Sequence, residues 1–250
     1  MEAKDIANYI DQYLRVPEIK DASLNGLQVQ GKTEITKIGY AVDACVESFQ
    51  KAKEQGVDFL MVHHGLFWGQ EQAIVGSHYA RVRLLIESGM NLYCAHLPLD
   101  AHPEVGNNAQ LAKALDLSVE HYFGEYRGTP IAVYARSDTK ITAEQLLARL
   151  KKVVGDHARL DAFGPKKFRN IGICSGSGTS LLPEAKRMNL DAFITGETRQ
   201  NFYHFTQEEG IHALYGRHYD TEIIGLKALA AHLEEIFELP TVFLDAPTRI

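Results

Sequence analysis

Gly56-Val57-Asp58-Phe59-Leu60-Met61-Val62-His63-His64-Gly65 is the stretch on which the fold class turns. Its centre is a short unbroken apolar run, which suits a strand covered on both faces in a parallel sheet. The run ends in two adjacent histidines and a glycine. Successive side chains of a strand point to opposite faces. Both imidazoles can therefore serve one site only where the strand ends and the backbone turns. Gly65, which has no Cβ, is expected to supply that turn through an unusual φ. Clustered imidazoles are the raw material of a metal site.

Strands and helices alternate outward from this run. Helical periodicity covers 3–14, followed by turn chemistry at Asn25-Gly26. Strands are predicted at 37–44, 58–63 and 91–96, with helices at 46–55, 79–88 and 108–115. The second half repeats the rhythm, with strands at 170–175, 191–195, 211–215 and 241–244 and helices at about 180–188, 199–208 and 221–237. Gly56–His64 lines up with 189–197, and 91–96 lines up loosely with 212–218. The expected architecture is α/β: two similar lobes with mainly parallel sheets, residues 1–117 and 169–250. A connecting segment, 118–168, carries a strand at 130–135 and a helix at 142–153, and the last helix and strand are free to pack on the first lobe. Ligands of such sheets gather at the carboxyl ends of strands. His63, His64, His96, Glu197 and His218 all lie at or just past such ends.

Composition narrows the function classes. A 250-residue chain with 45% hydrophobic residues can bury a good core. No apolar run approaches the roughly 18 residues of a membrane span, and the charged N-terminus lacks a signal-peptide core. A cytoplasmic protein without a membrane partner is expected. The net charge of −6 argues against a nucleic-acid groove. Cys45, Cys94 and Cys174 are far apart and form no CxxC pair, which excludes a thiolate zinc knuckle.

Each remaining candidate has a functional and a plain reading. In His96-Leu97-Pro98-Leu99-Asp100, Pro98 is expected to block immediate helix formation and leave Asp100 in a turn. Asp100 is then a ligand, an orienter of a histidine or a simple cap. His218 and Glu222, four apart, share one helix face, as two ligands or as a surface pair. Glu197 is a cleft carboxylate or a helix cap. Ser175-Gly176-Ser177-Gly178 is a phosphate-binding loop or a common turn. Phe67 and Trp68 stack on a planar base, wall the site or pack at a subunit contact. Imidazoles and carboxylates on separate elements suggest two metals rather than one, since a single catalytic zinc needs only about three protein ligands. A nitrogen and oxygen donor set admits Zn, Mn, Fe, Ni or Co.

Asn25-Gly26-Leu27-Gln28-Val29, Val62-His63-His64-Gly65-Leu66-Phe67-Trp68, His96-Leu97-Pro98-Leu99-Asp100, Gly106-Asn107-Asn108, Ile194-Thr195-Gly196-Glu197 and the His218/Glu222 pair occur in this order. Together they resemble the GTP cyclohydrolase I type 2 homologue family, over almost the whole chain. The resemblance implies a dinuclear divalent-metal site with ligands His63, His64, Asp100, His218 and Glu222, one carboxylate bridging. It implies interlocked lobes with the site in the cleft between them, in a hexameric ring of identical subunits. Longer members carry an inserted PII-like domain, for which segment 118–168 is too short. The implied activity is hydrolytic opening of a purine nucleotide at C8 with release of formate. His96 and Glu197 would move protons, and Phe67 and Trp68 would face the base. Ligand spacing itself does not select a purine. A non-enzymatic metal-binding or regulatory scaffold, and metal-dependent hydrolysis of damaged nucleotides, stand as alternatives.

Overall fold

The computed structural model describes residues 1–249, and the chain forms two units. The first takes Met1–His102 together with Leu226–Ala246; the second takes Pro103–Gly225 and the last few described residues. Segment 118–168 is thus part of the second unit, whereas the last strand and most of the last helix belong to the first.

The first unit begins with α1 (Ala3–Tyr13), whose buried stripe is Ala3, Ile6, Ala7 and Ile10. Its sheet contains β1 (Gly26–Val29), β2 (Ile38–Asp43), β3 (Phe59–His64) and β4 (Asn91–Cys94), in the order β1-β4-β3-β2 followed by the chain's last strand, Thr241–Phe243. All neighbours are parallel except β1, which runs antiparallel to β4. Parallel neighbours need crossovers; α2 (Val46–Glu54) and α3 (Gly76–Ser88) supply them. Phe49, Leu60, Leu85 and Leu92 are fully buried in one core with Val62, each contributing about 1.5–3 kcal/mol of transfer free energy. After β4 the chain turns at once into α4 (Leu97–Asp100). The expectation that Pro98 blocks a helix is corrected here. It sits in the first turn, where its missing N–H costs nothing.

The second unit contains α5 (Asn107–Ala114), the hairpin β5 (Ser118–Tyr126) and β6 (Thr129–Ile141), α6 (Ala143–Val154), β7 (Arg159–Asp161), β8 (Phe168–Cys174), α7 (Leu182–Arg187), β9 (Ala192–Thr195), α8 (Gln200–Glu209) and β10 (His212–Tyr215). The hairpin closes on Arg127 and Gly128, both at positive φ, as a two-residue turn of matching twist requires. Strand order is β5-β6-β8-β9-β10-β7. Strands β8, β9 and β10 are parallel, flanked by antiparallel β6 and β7. The fold is α/β with two sheets, as the alternation of elements predicts. The internal likeness read from sequence has a topological counterpart: β7-β10-β9-β8 repeats β1-β4-β3-β2 with the same strand directions. Helix α9 (His218–Phe237) follows β10, and β11 (Thr241–Phe243) ends the sheet of the first unit. Helix α9 starts three residues before the predicted 221, which puts His218 inside it. Among the described residues no helix is long and apolar enough to cross a membrane.

Candidate metal centre

In the first unit β3 carries His63 and His64 to the carboxyl edge of the sheet, and the turn after β4 brings His96 beside them. Ring centroids are 4.8 Å apart for His63 and His64, 5.0 Å for His63 and His96, and 5.6 Å for His64 and His96. One ligand-capable atom from each of these residues lies within 4.8 Å of the others. Each ring is held by its Nδ1. His63 Nδ1 donates to the Ala95 carbonyl at 2.9 Å, His64 Nδ1 to Asp43 Oδ1 at 2.8 Å, and His96 Nδ1 to Asp21 Oδ2 at 2.9 Å. These partners only accept, so the proton sits on Nδ1 and the lone pair of the neutral ring sits on Nε2. That is how metal-ligating histidines are oriented. His63 Nε2 faces Asp100 Oδ2 at 3.6 Å, with Asp100 buried. A cation or a shared proton would satisfy two acceptors so placed.

Asp21 is nearly enclosed. Burial opposes its charge, but His96, Asn25 and the Ser23 N–H outweigh burial and hold its carboxyl well below the usual carboxylate range. Cys94 Sγ donates to the His63 carbonyl at 3.3 Å, and burial pushes its thiol up to about 12. It is a neutral packing group, not a thiolate ligand. Gly65 does not have the positive φ expected of it. Its missing Cβ makes room for Gln28: an added Cβ would lie 2.3 Å from Gln28 Nε2, and Gln28 Oε1 accepts the Leu66 N–H at 2.7 Å. The glycine serves close approach rather than an unusual backbone angle.

In the second unit His218 opens α9 and Glu222 follows one turn later. His218 Nε2 lies 3.1 Å from Glu222 Oε1, while Nδ1 bonds Glu197 Oε1 at 2.5 Å. Glu197 also accepts from Ser177 Oγ at 3.1 Å. Burial opposes charge on His218, but Glu222 and Glu197 outweigh it and push the imidazole up to about 9. Without a metal the ring holds a proton where the donor set fits a divalent cation. Gly176 cradles the pair at φ +60, and an added Cβ would lie 2.2 Å from Glu222 Oε1. The phosphate-loop reading of 175–178 is corrected by where its N–H groups go. Ser175, Gly176 and Gly178 donate to Asn108 Oδ1, Thr221 Oγ1 and Thr195 Oγ1 at 2.7, 3.0 and 3.0 Å.

Trp68 stands edge-on to His96 at 5.0 Å and 6.0 Å from His64, with its indole N–H on the Gly65 carbonyl. Phe67 turns the other way, packing edge-on against His78 at 5.4 Å and against the core of the first unit. Sequence patterns give no sign of Asp21 and Asp43 as partners of these rings. Removing the Asp43 carboxylate by Asp43→Ala frees the His64 ring to rotate. Metal affinity is expected to fall about 10–100-fold, measured by titrating metal-stripped protein, with the unfolding midpoint little changed. Undiminished affinity would exclude His64 as a ligand oriented in this way.

The sequence profile of the family described as Duf34/NIF3 (NGG1p interacting factor 3) matches residues 1–249. A Deinococcus radiodurans protein named GTP cyclohydrolase 1 type 2 homolog is 41% identical over 246 residues, covering 98% of this chain and 94% of the relative. A Pyrococcus abyssi protein of the same name is 38% identical, with 100% of both chains covered. A crystal structure from Thermus thermophilus matches with 44% identity and a TM-score of 0.90 over 100% of both chains. The structure of the protein ybgI, described as of unknown function, matches with 34% identity and a TM-score of 0.94, again over 100% of both.

Proposed function

Because the chain belongs to the Duf34/NIF3 family, we propose that it is a metal-dependent hydrolase acting on a nucleotide, with His63, His64, Asp100, His218 and Glu222 as ligands of two divalent ions. The observation that carries the metal part is the common state of the rings. His63, His64 and His218, like His96, each have Nδ1 held by a carbonyl or carboxylate oxygen, which directs Nε2 to a ligand's task. The nucleotide part is supported by the name that relatives carry, GTP cyclohydrolase 1 type 2 homolog, and the purine C8 step is its most specific form.

When bound, paired divalent ions polarise the group attacked and make hydroxide available near neutral pH. The chain's own residues do the rest. The Ala95 carbonyl, Asp43 and Glu197 fix the rings of His63, His64 and His218. His96 takes up or delivers a proton at Nε2, because its Nδ1 is committed to Asp21, whose carboxylate stabilises the imidazolium. Trp68, 40% exposed beside His96, offers an aromatic face to a planar base.

The test is a panel of nucleotides, run with several divalent metals and followed by chromatography. Metal-loaded protein is expected to turn over at least one member. Asp100→Ala is expected to lower that rate by ~100-fold or more, given the several kcal/mol a bound metal supplies. Activity that survives the substitution points to a contaminant. A metal-loaded wild type that is inert across the panel favours the scaffold reading.

A further inference from the structure

Beside His218, wholly within the second unit, the ends of β9 and β10 and the chain before and along β7 enclose a cavity of about 250 Å³, lined by His157, Arg159, Glu197, Thr198, Tyr215 and Arg217 among others. Sites that enclose a whole drug-sized ligand span about 300–1,000 Å³. This one falls below that range, with room for a phosphate but not for a whole nucleotide. We propose that it is a phosphate-binding subsite, with Arg217 as its main cation and Arg159 as its second. That the phosphate belongs to the substrate rests on the hydrolase reading above.

Arg217 has φ +67, a left-handed conformation that a long side chain adopts reluctantly and Asn or Gly readily. It follows Gly216 and immediately precedes the first residue of α9, at the point where the chain passes from strand to helix. Among the described residues its guanidinium has no hydrogen bond or ion pair. Strained positions of this kind cluster at ligand clamps. Arg159 is only loosely held, 3.7 Å from Asp161, and lies 5.7 Å over the Tyr215 ring. Burial, followed by the charge of Asp161, pushes the Tyr215 hydroxyl up to about 12, so it adds no negative charge to the lining.

The carboxylate of the lining and its imidazole are already committed. Glu197 is bound to His218 and Ser177, and His157 is bound to Asp220 at 2.9 Å. The open charge facing the cavity is therefore cationic, carried by two guanidinia. Guanidinium forks match phosphate oxygens in geometry as well as in charge. A phosphate held by Arg217 lies next in sequence to the proposed metal ligand His218, which tethers a nucleotide at its phosphate end.

The experiment titrates metal-stripped, full-length protein calorimetrically with inorganic pyrophosphate, so that no metal can contribute to anion binding. GMP and guanosine follow as a matched pair. Wild type is expected to bind pyrophosphate and to bind GMP at least ~10-fold more tightly than guanosine. Arg217→Asn suits the left-handed backbone. It should keep the wild-type unfolding midpoint and metal equivalents while losing ~10-fold or more in pyrophosphate affinity and the preference for GMP. Arg159→Ala should weaken pyrophosphate binding to a smaller degree. The proposal is overturned if wild type binds no phosphate, or if Arg217→Asn binds it as wild type does. Pyrophosphate binding without a preference for GMP overturns the substrate assignment and identifies a site for free anions. The metal reading fails separately, if His64→Ala and Glu222→Ala chains retain full metal.

Discussion

A Glu222→Ala chain should come through purification with less bound divalent metal than wild type, read by elemental analysis, and His64→Ala should do the same. Loss of an outer partner that merely orients a ligand costs about 10–100-fold in affinity, and loss of a ligand atom should cost more. Glu222 is almost fully buried, with Oε1 3.1 Å from His218 Nε2, so an alanine leaves no other side-chain oxygen at that position on α9. A second readout concerns protons. His218 is raised from its ordinary value near 6.5 to about 9. In the metal-stripped chain its contribution to stability is therefore full below about pH 6.5 and lost as pH rises through about 9. A metal must displace that proton. Metal uptake near pH 7.5 should accordingly acidify a weakly buffered solution, and less so in Glu222→Ala. Full metal occupancy in both variants would sink the ligand assignment.

Gly176→Ala should damage stability and metal binding together. The residue sits at φ +60, and its added Cβ would fall 2.2 Å from Glu222 Oε1 and 3.1 Å from His218 Nε2. A left-handed alanine costs about 1–2 kcal/mol, and overpacking against buried groups adds about 1–3 kcal/mol. Nor can the loop retreat easily, since the Gly176 carbonyl accepts from the N–H groups of Gly196 and Glu197 at 2.9 and 3.0 Å. Gly128→Ala is the matched control. It has φ +91 in the β5–β6 turn with nothing within 4 Å of the added Cβ, so it should show the backbone cost alone and leave metal content untouched. Denaturant unfolding and metal analysis on both variants separate the two effects. Equal metal content in the two would mean that Gly176 does not seat the Glu222 carboxylate.

The sequence was most legible where burial was continuous. The runs that became β3 and β9 are buried on both faces almost throughout, and that pattern survives without knowledge of the fold. Strands β1, β5 and β7 lie at sheet edges and are short or largely exposed, so no apolar run announces them. The site divides along the same line. Histidines at strand ends are visible as residues, but their carboxylate partners are visible only as contacts. Asp21 lies 75 positions from His96, and Asp43 lies 21 from His64, separations that no local motif encodes. The two glycines are opaque to local sequence for a related reason. What excludes a Cβ at Gly65 and at Gly176 is a side chain from elsewhere, Gln28 and Glu222.

The sheet of the first unit ends on a strand drawn from the far end of the chain. During synthesis β2 can pair with β3 early, but its other edge has no neighbour until residues 241–243 have left the ribosome. An open strand edge is a template for pairing with other chains, and nascent chains are exposed to that hazard for as long as their domains remain incomplete. The strand left waiting is the one that bears Asp43, the acceptor that orients His64. Completion of the orienting scaffold thus waits on residues 241–243, and a chain cut short before them has this sheet unsealed.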